Sequence, residues 1–329
     1  MGGERLDDAA LWHEFVEGKQ TYSEIGRAHG VSARTVQRRL TGYRPKEPEK
    51  EPREVVVLMD TTYWGREYGV MLFKDAVTNE NLLKYFVTAE TVEKYVQGIA
   101  ELGRRGYRVL GIVCDGRRGL FNAFPDIPIQ MCQFHQQKIV TTRLTRRPKT
   151  EAGRELRSLT LMLTKTDRES FEGALYLWHE KWADYLDERT TDAETGKSHY
   201  THKPLRSAYL SLKRNLPHLF TYLDHMDIGM PNTTNAIDGH FSELKTKLRV
   251  HNGLSQKQKR KFITEFLYYK DIGYQDDEVH QQTDTHKVAE TVAARAIDKH
   301  VGGRAYGGCE AAAHADHQGD EEGNESAAI

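Results

Sequence analysis

Two apolar runs that each end on an aspartate constrain this sequence more than any other feature. Val55-Val56-Val57-Leu58-Met59 leads into Asp60, and residues 109–114 lead into Asp115. Five or six apolar residues without a polar interruption read as a strand buried on both faces. Between them, residues 69–73 and 82–87 read as two more strands, close enough in sequence to form an antiparallel meander with the first. Thr91 caps a helix to about Arg105, with Val92, Tyr95, Val96, Ile99 and Leu102 at helical spacing. A short helix near 120–124 and a fifth strand at 127–131 complete the order β-β-β-α-β-α-β. In that order the first and fourth strands are expected to be parallel neighbours, with Asp60 and Asp115 side by side at their C-terminal ends, where open sheets bind ligands. Two carboxylates held close repel each other unless a cation joins them. Magnesium prefers carboxylate oxygen, water and phosphate as ligands.

A third carboxylate is expected from a later helix, in Pro231-Asn232-Thr233-Thr234-Asn235-Ala236-Ile237-Asp238-Gly239-His240-Phe241-Ser242-Glu243. Thr233 or Thr234 can cap it. Asn235 and Asp238 share a face, which Ser242, Lys245 and Arg249 continue. Glu243 lies about 140° around the helix from Asp238, so the two cannot easily serve one site. The expected set is Asp60, Asp115 and Asp238, with Glu243 as the alternative third ligand.

The rest of the chain has a different character. Residues 7–41 read as three short helices: about 8–17, then a capping box of Thr21 and Glu24 opening a helix to Ala28, a break at Gly30, and a Ser32-capped helix over 33–40. That is a helix-turn-helix pattern, and the third helix carries Arg34, Gln37, Arg38 and Arg39, side chains suited to base edges and phosphates. Residues 45–53 read as a Pro-rich charged linker. Residues 136–227 read as a helical insertion, with helices at 156–163, 168–186 and 205–216 and a polar loop at 190–203. Trp178 and Trp182, at i and i+4, are expected in its core; Trp64 is ambiguous.

Charge is divided along the chain. Residues 272–329 carry 12 Asp and Glu against 4 Lys and Arg, while residues 1–271 carry 36 against 43. An acidic tail without apolar periodicity, expected to be disordered, masks a basic body. Lys245, Lys247, Arg249, Lys257, Lys259, Arg260 and Lys261 form one basic cluster; Arg143, Arg146, Arg147 and Lys149 form another. Both suit phosphate contact. The longest apolar run falls short of a membrane span, the N-terminus lacks a signal-peptide core, and three cysteines make no disulfide framework. A soluble, cytoplasmic protein is expected.

Taken together, these motifs resemble the bacterial insertion-sequence transposases of the Mutator-related DDE group over about residues 54–271. The resemblance rests on the strand ending in Asp60, on Cys114-Asp115-Gly116, on Cys132-Gln133-Phe134-His135 as a Cys-x-x-His signature, and on Thr234-Asn235-Ala236-Ile237-Asp238 as a Thr-Asn-x-x-Glu helix start. It implies an α/β fold with a ribonuclease-H-like mixed sheet, a helical insertion and an all-α helix-turn-helix domain in front. It further implies a DNA transposase acting on terminal inverted repeats and target DNA in the nucleoid. Two Mg2+ ions, with Mn2+ able to substitute, would serve in-line phosphodiester hydrolysis and strand transfer. A homodimer or larger assembly would pair the ends. This chain departs from the family in having Asp238 where Glu is usual. Zinc at Cys132 and His135 is disfavoured, since no second Cys/His pair completes four ligands. His135 and Lys138 are expected to contact DNA or the scissile phosphate. The alternatives are a catalytically inactive, domesticated DNA-binding protein and a structure-specific nuclease on the same core.

Overall fold

The central strand alternates its side chains between two different cores. In β1 (Glu54–Trp64) Val55, Val57 and Met59 face one hydrophobic cluster, and Val56 and Leu58 face another, as the two-residue period of a strand requires. A computed structural model of the chain describes residues 6–271, apart from 19, 45–49, 66, 67, 252 and 269. All described residues belong to one compact unit, Met1–Gln275. The expected tail and most of the expected linker lie outside them. Among the described residues no helix is long and apolar enough to cross a membrane.

β2 (Tyr68–Asp75), β3 (Asn81–Val87), β4 (Arg108–Cys114) and β5 (Ile129–Met131) join β1 in a five-stranded sheet of order β3-β2-β1-β4-β5. β1–β2 and β2–β3 pair antiparallel; β1–β4 and β4–β5 pair parallel. This is the ribonuclease-H-like mixed sheet. One face is covered by the local crossover helix α4 (Val92–Arg104), capped by Thr91, and by α5 (Leu120–Ala123). The approach is close at Gly98, where a Cβ would stand 2.0 Å from the Phe73 ring. The other face is covered by helices remote in sequence: α1 (Asp8–Val16), α2 (Tyr22–Ala28) and α3 (Ala33–Gly42) from the N-terminus, α10 (Asn235–Val250), and α11 (residues 256–268, with 270 and 271). Phe15 of α1 stacks on Tyr22 and meets His251 and Phe262. Each fully buried aliphatic or aromatic side chain in such a cluster contributes about 1.5–3 kcal/mol.

The helical insertion builds a third core. α6 (Gln133–Leu144), α7 (Glu151–Leu161), α8 (Arg168–Asp187) and α9 (Lys203–Asn215) pack around Val140, Leu156, Phe171, Leu175, Trp178 and Leu212. Trp178 and Trp182 belong here, their indole N–H groups donating to the Ala152 carbonyl and to Glu155.

Three expectations need correcting. β1 does not stop at Met59. Its parallel pairing with β4 ends at Leu58–Val113, but it continues beside β2 to Trp64, because Thr61, Thr62, Tyr63 and Trp64 are good strand formers. Asp60 therefore stands where the parallel pairing ends, inside a strand. The loop at 190–203 contains a small hairpin, β6 (Arg189–Thr191) with β7 (Ser198–Tyr200). β6 is exposed along its length and β7 is half-buried only at His199 and Tyr200, so no apolar alternation announces the hairpin. The insertion begins at Gln133, directly after β5, a few residues earlier than expected.

Candidate metal centre

Three elements converge where β1 and β4 part. Two residues beyond the Leu58–Val113 pair, the parallel register brings Asp60 and Asp115 level. β5 runs beside Cys114, so the chain after it enters α6 at the same end of the sheet, with the Cys132 N–H donating to the Cys114 carbonyl. His135 lies in the first turn of α6, and Asp238 in the first turn of α10. Asp60, His135 and Asp238 each offer a ligand atom, and these atoms lie within 4.8 Å of one another. Ligand atoms on one small divalent ion stand about 3–4 Å apart, so slight side-chain movement suffices. Asp115 lies outside this tightest group but near enough to act on the charge of Asp60 and to feel that of His135.

The local backbone fixes the carboxylates. Thr61 N–H donates to Asp60 Oδ1 at 2.8 Å, and Arg117 N–H to Asp115 Oδ1 at 2.9 Å. The turn after Asp115 needs glycine: Gly116 has φ +78°, and a Cβ there would meet the Met131 side chain at 2.6 Å. Thr234 does not cap α10 with its side chain. Its N–H donates to Cys132 Sγ at 3.3 Å, and its hydroxyl, with one proton to give, lies 3.3 Å from both Asp238 Oδ2 and Cys132 Sγ. Thr234 Oγ1 also lies 3.5 Å from His135 Nδ1. One threonine thus ties the start of α10 to the start of α6.

The electrostatics are those of a site short of positive charge. Asp60 is only 8% exposed. Burial pushes its carboxyl up to about 7; His135 and the Thr61 N–H oppose that, and Asp238 and Asp115 reinforce it. Asp115 is also raised, by burial and then by Glu90. His135 is raised to about 9: burial opposes the charge, but Cys132, Asp60 and Asp238 outweigh it. Cys132 is lowered, since its contacts with His135 and Thr234 outweigh burial.

Glu90 is a component that pattern reasoning misses. Arg117 donates to Glu90 Oε2, Tyr95 donates to Oε1 at 2.7 Å, and the Tyr95 hydroxyl lies 2.9 Å from Thr61 Oγ1. Glu90 therefore links the two residues whose amides hold Asp60 and Asp115. Its only sequence signal is a position one before the α4 cap, which many acidic residues share.

The remaining expected residues divide. Beside the site, Asp115, His135, Lys138, Ile139, Thr142 and Arg143 line a cleft of about 410 Å³. Lys138, Lys245 and Arg249 are exposed, as are Arg34, Gln37 and Arg38 on α3. Arg39 is not on that face. It pairs with Asp8 at 3.2 Å and donates to the Leu6 carbonyl, fastening α3 to α1. Glu243 is engaged by Lys270 at 3.0 Å and Lys247 at 3.3 Å; burial raises its carboxyl, but the two lysines hold it below the usual range. Lys247 is buried and paired with Glu17, and Lys261 donates to carbonyls at the end of α3. Both leave the expected basic face. Arg143, Arg146, Arg147 and Lys149 are all exposed.

No protein-family profile matches the chain, and no curated protein matches it. Among solved structures the chain is similar to one in a simian T-cell lymphotropic virus intasome in complex with the PP2A regulatory subunit B56 gamma. There the identity is 12% and the TM-score 0.22, over 63% of this chain and 66% of that one. It is also similar to a chain of the Mos1 strand transfer complex, with 12% identity and a TM-score of 0.18 over 66% of this chain and 78% of that one. The chain thus spans just under two thirds of the intasome chain's length.

Proposed function

We propose that this chain is a DNA transposase of the DDE/DDD type, catalysing divalent-metal-dependent phosphodiester hydrolysis at transposon ends and strand transfer into target DNA. The observation that carries this reading is the convergence of Asp60, His135 and Asp238 from three separate elements, with Asp115 beside them. The donor set fits a metal: two carboxylates and an imidazole, with Asp60 buried and its charge disfavoured by that burial. Asp60, Asp115 and Asp238 would hold Mg2+ or Mn2+. Ions bound there would activate the attacking hydroxyl and neutralise the scissile phosphate. The chain's own contribution is orientation. The amides of Thr61 and Arg117 fix two carboxylates, Thr234 fixes the third, and Lys138 and Arg143 border the cleft along which a phosphate backbone could enter.

In this reading residues 1–44 are a helix-turn-helix DNA-binding domain that presents Arg34, Gln37 and Arg38 to the element's terminal repeat. Residues 45–53 are its linker, and residues 54–271 the catalytic domain. Lys245 and Arg249 extend the DNA contact, and two copies or more bring the two ends together. Nicking of a labelled duplex by the full chain in Mg2+ or Mn2+ tests the reading. Cleavage should disappear in Asp60→Asn, Asp115→Asn and Asp238→Asn and persist in Glu243→Gln. Metal-independent cleavage, or cleavage retained by Asp60→Asn, contradicts it.

A further inference from the structure

The tightest group at the sheet end contains an imidazole as well as carboxylates, while Asp115 lies just outside it. Magnesium favours oxygen ligands, whereas imidazole suits the later transition metals best and, among ions that carboxylates also hold, is accepted by Mn2+ more readily than by Mg2+. We propose that His135 is itself a metal ligand, making Asp60, His135 and Asp238 an Asp–His–Asp centre that selects a transition-metal ion such as Mn2+ over Mg2+. This deepens the metal-site reading of the carboxylates and rests on it.

The geometry supports a built site. Its ligands come from a central strand and from the first turns of two helices, each anchored in a hydrophobic core. Asp60 is more than nine-tenths buried and points into the group. The Thr61 amide serves its Oδ1, and among the described residues Oδ2 accepts no hydrogen bond. The ligands are also held in advance. The Thr234 hydroxyl lies within hydrogen-bond reach of Asp238 and against His135, and the Thr234 N–H donates to Cys132. Such outer contacts orient ligands and typically matter tenfold or more in metal affinity. Cys132 is a supporting residue in this arrangement, because its sulfur faces Thr234 and lies outside the ligand group.

The test is electron spin-echo spectroscopy of Mn2+ added to the full chain, read for coupling to an imidazole nitrogen, with Mn2+ and Mg2+ affinities measured in parallel. Wild type should show nitrogen coupling and bind Mn2+ more tightly than Mg2+. His135→Gln should lose the coupling, and its Mn2+ affinity should fall at least about tenfold. His135→Asp, which puts an oxygen ligand in place of the nitrogen, should bind Mn2+ without nitrogen coupling and with its preference shifted toward Mg2+. Bound Mn2+ without nitrogen coupling in wild type, or coupling that survives His135→Gln, overturns the His135 assignment and leaves the carboxylate site standing. Absence of Mn2+ binding by wild type overturns both.

Discussion

Two clusters of buried charged side chains differ in their charge balance. Between β2, β3 and α11, Lys50, Arg53 and Lys74 face Asp75, Glu80 and Asp271. Arg53 meets both Asp75 and Glu80 at 2.7 Å, and Lys50 meets Asp271 at 2.8 Å. Lys74 is fully buried, and burial brings it down to about 8 although Asp271, Asp75 and Glu80 oppose that. Every carboxylate there has a cation. At the other cluster, the positive groups that act on Asp60, Asp115, Asp238 and Glu90 among the described residues are chiefly His135 and Arg117. Burying unpaired charge is costly, so carboxylates gathered in one place are relieved either by protons, as the raised Asp60 and Asp115 carboxyls allow, or by a cation, as the proposed site requires. The balanced cluster has the character of a fastener between strands and helix, and the unbalanced one that of a binding site.

The largest expected effect comes from unbalancing the fastener. Asp75 accepts from Arg53, from the Thr78 hydroxyl and from the Val77 amide. Asp75→Ala should therefore destabilise the protein by about 3–5 kcal/mol, as read from urea unfolding. A loss below about 1 kcal/mol would remove the contrast from one side. Next, divalent ion should stabilise the unbalanced cluster alone. Mn2+ at a hundred times its dissociation constant should add about 2.7 kcal/mol to wild type. In a thermal melt the shift should vanish in Asp60→Asn and persist, relative to its own baseline, in Asp75→Ala.

Without divalent ion, Asp60→Asn should itself stabilise. The folded-state carboxyl is raised from 3.8 to about 7, so its favourable contribution is full below about pH 3.8 and is lost as pH rises through 7. Asparagine does not titrate, so the variant's advantage should be absent near pH 4 and reach on the order of 1–3 kcal/mol by pH 8. A pH-independent difference would contradict the assigned environment. The smallest effect is expected for Glu243→Gln. Its partners Lys247 and Lys270 are lysines of the scaffold, so the cost should be at most about 1 kcal/mol, with the Mn2+ shift intact.

Much of this was legible in the sequence, for physical reasons. Apolar runs in β1 and β4, and helical spacing in α4 and α8, depend only on local burial, so they survive folding unchanged. Asp60, Asp115 and Asp238 were visible because each opens or closes such a pattern. Glu90 was not, since its role depends on Tyr95 and Arg117 meeting it across the fold. The same holds for the basic residues. Lys247 looks like part of a charged helix face, but its partner Glu17 lies 230 positions away. Arg39 looks like its neighbours Arg34 and Arg38 until α1 is seen against α3. Charge patterns show composition, and only tertiary contact shows which charges are already spent.

The most direct test of the contrast is calorimetric titration of Mn2+ into the full chain, wild type beside Asp60→Asn. A saturable site in wild type that is absent from a folded Asp60→Asn protein is the predicted result. Identical isotherms for the two proteins would contradict the assignment of the carboxylate excess to a cation site.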